Sequence, residues 1–143
     1  MEIKYLVAHV SASPQGRGDD AATIHRWHTS PPRKWSGIGY NSVILESGEV
    51  QPGRPIYWQG AHVRDFDRDG QGNNSDSLGS CLIGMGGDAT MNQLAALRIQ
   101  FNEWLKIYPA AEVVGHRDLD TRKPCPGFDV GKWFYKGVYD CST

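Results

Sequence analysis

Two histidines and a cysteine stand where strands end and loops begin. His9 closes the apolar, β-branched run Ile3–Val10. His116 closes a second run in Val113-Val114-Gly115-His116-Arg117-Asp118, and Cys125 follows in Lys123-Pro124-Cys125-Pro126-Gly127. Two imidazoles and a thiolate are good zinc ligands, and three protein ligands leave the fourth tetrahedral position open for water. Zinc lowers the pKa of such a water to about 7, which makes hydroxide available near neutral pH. Spacing alone leaves a second reading open, because His9 lies far from the other two in sequence. On that reading the histidines are hydrogen-bonded structural residues and Cys125 is an inert buried thiol.

The elements that must carry these residues can be read from pattern. Ile3–Val10 reads as a strand stopped by Ser11-Ala12-Ser13-Pro14. A short helix is expected over Ala21–His28, with Asp19 or Asp20 at its start and Pro31-Pro32 at its end. Tyr40–Glu46 and Glu49–Gln51 flank Ser47-Gly48 as a hairpin, and Ser77–Ile83 reads as another strand. Thr90-Met91-Asn92-Gln93 has the form of a capping box. The helix it opens carries Leu94, Leu97, Phe101, Trp104, Leu105 and Tyr108 on one face, and Pro109 closes it. Glu112–Gly115 is a short strand leading into His116, and Val130–Lys136 a short helix. Strands and helices alternate loosely, which predicts one α/β domain over residues 1–143 with a mixed sheet covered by helices.

Composition sets limits. The 143 residues suit one domain. The formal net charge of -1 supplies no basic field for nucleic acid or an anionic membrane. No stretch is long and apolar enough for a signal peptide or a membrane span, so the chain is expected to be made in a cytoplasm. The Cys count of 3 is no disulfide framework and fits a reducing compartment in which one Cys has a chemical task.

Six segments resemble the type-2 N-acetylmuramoyl-L-alanine amidases, the family of small phage endolysins and the peptidoglycan recognition proteins. They are Val7-Ala8-His9-Val10-Ser11-Ala12-Ser13, Gly37-Ile38-Gly39-Tyr40-Asn41, Gly60-Ala61-His62, Asn74-Ser75-Asp76-Ser77-Leu78-Gly79, Gly115-His116-Arg117-Asp118 and Cys125-Pro126-Gly127-Phe128-Asp129. They occur in family order and span nearly the whole chain. The resemblance implies a mixed sheet flanked by helices, with Zn2+ on His9, His116 and Cys125 at the floor of a surface groove. It implies hydrolysis of the amide between N-acetylmuramic acid and L-alanine in peptidoglycan, by a phage-type endolysin.

By the same resemblance Tyr40 stands beside the zinc, where a phenol can hydrogen-bond the attacking water or the developing oxyanion. Lys123 matches a lysine of the phage enzymes, a cation that can stabilise negative charge at the attacked carbonyl. His62 and Asn74 match positions lining the substrate groove. His25 and His28 have the spacing of helical metal ligands but match nothing chemical in the family, so they are read as surface or partly packed. Trp35 and Trp58 are candidates for sugar or peptide contact, or for a place in the core or the groove wall.

The chain departs from the family in a longer loop between His62 and Asn74. Its Asp65-Phe66-Asp67-Arg68-Asp69-Gly70 approaches calcium-loop spacing with Asp76, but the last ligand is Asp and no helices flank it; a solvated acidic loop is expected. With no signal peptide and no wall-binding domain evident, the enzyme is expected to act as a monomer on peptidoglycan after holin or host lysis. Two rivals are a non-catalytic peptidoglycan-binding module, against which Cys125 argues, and a cytoplasmic muropeptide-recycling amidase.

Overall fold

The computed structural model describes residues 2–63 and 73–142. In chain order they form β1 (Tyr5–Val10), α1 (Ala21–Thr29), β2 (Ser42–Ile44), β3 (Val50–Pro52), β4 (Ser77–Leu82), α2 (Met91–Ile107), β5 (Glu112–Gly115), α3 (His116–Leu119) and α4 (Val130–Lys136), with a 3-10 turn at Asn73–Ser75. The strands make one sheet in the order β3-β2-β4-β1-β5. β1 pairs in parallel with β4 and β5, and β2 with β4, while β3 runs antiparallel to β2. The expected mixed α/β sheet is therefore present.

Alternation along the strands divides the core. Leu6, Ala8, Leu78, Leu82 and Ile44 pack with Leu97, Phe101 and Trp104 of α2 and with Val130 and Trp133 of α4. The opposite face carries Val43 and Cys81 against Ile24 of α1, and Val7 against Val63, Val114 and Leu119. Phe101 is fully buried, so truncating it to Ala should cost about 3–5 kcal/mol. Helices on both faces leave the carboxyl ends of the parallel strands open, which is where α/β sheets bind ligands.

Both helix starts follow the sequence. Asp20 Oδ1 accepts from Thr23 N at 2.9 Å, and Thr90 Oγ1 accepts from Gln93 N at 3.0 Å. Gln93 also does something its capping pattern does not reveal. It is fully buried, and its Nε2 donates to the carbonyls of Ile44 (3.2 Å) and Ile83 (2.9 Å). The side chain thus ties the start of α2 to the ends of β2 and β4.

The structure departs from the reading in two places. The strand expected over Tyr40–Glu46 is only Ser42–Ile44. Before it, Asn41 makes sheet-like bonds with its side chain: Oδ1 accepts from Gly79 N (2.8 Å) and Nδ2 donates to Arg54 O (3.0 Å), so Tyr40 sits in a bend and not in the ladder. His116 does not end β5 but begins α3, a helix too short to carry a periodic signal. The Asp65–Gly70 acidic loop lies outside the described residues. Among the described residues no helix is long and apolar enough to cross a membrane.

Candidate metal centre and its groove

Strand register brings the two histidines together. β1 and β5 pair Leu6 with Val113, Val7 with Val114 and Ala8 with Gly115. The residues that follow are His9 on β1 and His116 at the start of α3, and their ring centroids lie 4.6 Å apart. Cys125 arrives on the loop after α3. Arg117 N donates to Cys125 O (2.8 Å), and Val10 N donates to Cys125 Sγ (3.1 Å). Gly127 makes this loop possible: its φ is +86°, and a Cβ there would meet Gly86 C and Gly87 N at 2.6 Å. Only glycine lets the Cys125-Pro126-Gly127 turn lie against that neighbouring loop.

One ligand atom from each of His9, His116 and Cys125 lies within 4.8 Å of the others. Cys125 Sγ is 4.0 Å from His9 Nδ1, close to the roughly 3.5 Å that tetrahedral zinc imposes on a sulfur and a nitrogen ligand. The electrostatics also fit a cation. His9 is held far below its usual pKa by burial first, then by the neighbouring His62 and His116. His116 is lowered by burial and by Lys123, against the opposing effect of Asp120. Both imidazoles thus keep a lone pair available at neutral pH. Burial pushes the Cys125 thiol up to about 11, although Val10 N–H and Lys123 act in the other direction. A site that disfavours every charge on its own ligands suits a divalent ion, which would stabilise the thiolate.

A groove of about 720 Å³ opens over this cluster, and all seven residues singled out in the sequence border it. Tyr40 packs its ring 5.0 Å from that of His9; burial above all, and then the neighbouring Cys81 and Cys125, raise its phenol well above the usual value. Lys123 is exposed on the rim, its backbone N bonded to Asp120 O (3.0 Å). Asp120 itself is buried and paired with Arg122 at 3.1 Å. Asn74 Oδ1 accepts from the backbone N of His62 (2.8 Å) and Val63 (2.7 Å). His62 is buried beneath His9, with His62 Nδ1 2.8 Å from His9 Nε2.

The expectation for His28 is corrected. His28 is 8% exposed, its Nδ1 accepts from Gly39 N (2.9 Å), and burial lowers it to about 4. With its ring centroid 5.6 Å from that of Tyr40, it anchors the segment carrying that residue. The signal was its spacing from Ile24, the other buried residue of α1. His25 is exposed and accepts from Ile38 N at 3.3 Å. Trp35 is half-buried on the groove wall with its ring 4.6 Å from that of His28, whereas Trp58 is 57% exposed beside Tyr57.

The fold of this mixed α/β sheet has known counterparts. The N-acetylmuramoyl-L-alanine amidase family model matches residues 1–128, and the chain belongs to that family of enzymes. Among its relatives is the endolysin of Enterobacteria phage K11, 32% identical over 144 residues and covering 95% of this chain and 88% of that protein. The endolysin of Escherichia phage T7 is 28% identical, covering 92% of this chain and 85% of that protein. In fold, the chain is similar to the endolysin amidase LysCS from Clostridium intestinale (TM-score 0.75, 24% identity, covering 90% and 78% of the two chains). It is also similar to the Drosophila peptidoglycan recognition protein SD (TM-score 0.72, 24% identity, covering 87% and 75%).

Proposed function

We propose that this chain is a zinc-dependent amidase that cleaves the bond between N-acetylmuramic acid and L-alanine in peptidoglycan, as a phage-type endolysin. The observation that carries the reading is the meeting of His9, His116 and Cys125 under a groove that Tyr40 and Lys123 also border. The endolysin relatives, matched over most of their length, support the biological setting. Release to the wall through a holin or host lysis belongs to the same proposal.

Zinc, held by His9, His116 and Cys125, would supply a Lewis acid that activates water and polarises the scissile carbonyl. The chain supplies the rest. The groove receives the glycan–peptide junction and limits its approach to one side of the cluster. Tyr40 keeps its proton at neutral pH, so its Oη serves as a hydrogen-bond donor to negative charge developing on the carbonyl oxygen. The Lys123 ammonium adds a positive charge at the rim of the same groove. Neutral His9 and His116 act as ligands and not as acids.

The test is digestion of purified sacculi followed by mass spectrometry of the products. Free stem peptides beginning with L-alanine, lost on chelation and regained with zinc, are expected. Full activity in protein shown by elemental analysis to be metal-free overturns the zinc reading. Intact sacculi alongside turned-over soluble muropeptides would make the enzyme a recycling amidase instead.

A further inference from the structure

The two nitrogens of His9 have different surroundings. Nδ1 lies on the side of Cys125 Sγ, at 4.0 Å. Nε2 meets His62 Nδ1 at 2.8 Å in a buried contact. The other nitrogen of His62, Nε2, lies 3.3 Å from Ser77 Oγ, a hydroxyl that can donate or accept. With His9 Nδ1 on the side where Cys125 stands, a lone pair there for the metal puts the His9 proton on Nε2. The short contact is then His9 Nε2–H donating to a lone pair at His62 Nδ1, and His62 holds its own proton on Nε2, towards Ser77.

The fold builds a slot for this ring. A Cβ at Gly60 would lie 2.6 Å from His62 Cδ2, and one at Gly79 would lie 2.6 Å from His62 Nδ1. Gly79 is on β4 and paired with Val7 of β1, so the slot is part of the sheet that carries His9. The backbone entering the slot is pinned by Asn74, which accepts from His62 N and Val63 N. Two missing side chains and one carboxamide thus hold an imidazole against the buried side of His9.

We propose that His62 is a positioning residue: it fixes the tautomer and orientation of His9 so that Nδ1 is the metal-binding nitrogen. Asn74 and the two glycines hold His62 in turn. This rests on the zinc reading above and replaces the substrate contact expected of His62 from its place in the sequence. Partners that orient a metal-bound imidazole typically change metal affinity by about 10–100-fold when removed.

Two measurements on the full chain test it. Zinc alone is titrated into metal-free protein against a chromophoric chelator, for wild type, His62→Leu and His62→Asn. Leu occupies the slot without an acceptor, and should weaken zinc binding by about 10–100-fold. Asn can place its Oδ1 where Nδ1 was, and should recover most of that loss. The second measurement is the long-range nitrogen–proton NMR spectrum of the wild type, which needs no variant to fold. It should show the His9 proton on Nε2 both without zinc and with it. A folded His62→Leu protein that binds zinc as tightly as wild type overturns the proposal, as does a His9 proton on Nδ1. A wild type that takes up no zinc, yet carries the His9 proton on Nε2, overturns the metal reading while leaving the tautomer assignment standing.

Discussion

Replacing Tyr40 with Phe removes one oxygen from the groove and little else. The ring keeps its packing against His9 at 5.0 Å and His28 at 5.6 Å. The structural loss is the polar contact of one hydroxyl beside Cys81, worth about 1 kcal/mol at most. For a domain of this size that lowers Tm by only a few degrees, at roughly 2–4 °C per kcal/mol. The catalytic loss should be far larger. A preorganised donor aimed at a developing oxyanion contributes about 2.7–4 kcal/mol, or roughly 10²–10³ in kcat. The expected signature is therefore kcat reduced at least about 10²-fold, with zinc content and fold retained. Soluble muropeptide hydrolysis followed by chromatography gives kcat and KM, elemental analysis gives the metal, and a thermal melt gives the fold. Wild-type kcat in a zinc-replete Tyr40→Phe protein would refute the donor role and leave Tyr40 as packing beside His9.

Four further outcomes follow from the same geometry. Cys125→Ser should lose zinc, because a hydroxyl is a much poorer ligand than thiolate, whereas Cys81→Ser should keep it; equal loss in both would remove Cys125 from the site. Lys123→Ala should lower kcat more than it raises KM, the pattern of a contact made chiefly in the transition state; intact zinc with unaltered kcat takes Lys123 out of the mechanism. Gln93→Leu breaks the cap on Thr90 and removes a donor from two carbonyls, so urea denaturation should show a loss of roughly 3–5 kcal/mol, and a change under 1 kcal/mol would contradict the clamp. His28 is lowered from 6.5 to about 4, so the unfolded chain binds the extra proton between those values. Its contribution is complete above pH 6.5, falls as the pH drops towards 4 and changes no further below that, for a total of about 3 kcal/mol. His28→Gln should flatten the acid limb of the stability profile in that window; an unchanged limb would show that His28 is not held neutral.

Much of this protein was legible in the chain itself, because local signals are written residue by residue. The Asp20 and Thr90 caps, the apolar face of α2 and the β-branched runs of β1 and β5 depend on neighbours within a few positions. The order of the six motifs likewise named His9, His116 and Cys125 as a set. Spacing could not show that they meet. That required β1 and β5 to pair in parallel with Ala8 opposite Gly115, which sets the two histidines side by side, and a left-handed Gly127 to return Cys125. Long-range pairing is chosen by burial across the whole sheet, so no single segment carries it. The same holds for the polar residues whose work lies inside. Gln93 reads as a cap and also ties α2 to two strands; His28 reads as surface or partly packed and anchors the loop of Tyr40; His62 borders the groove as read and also lies against His9. A polar side chain's type states what it can donate or accept, but only packing decides which partner is within reach and whether water is excluded from the contact.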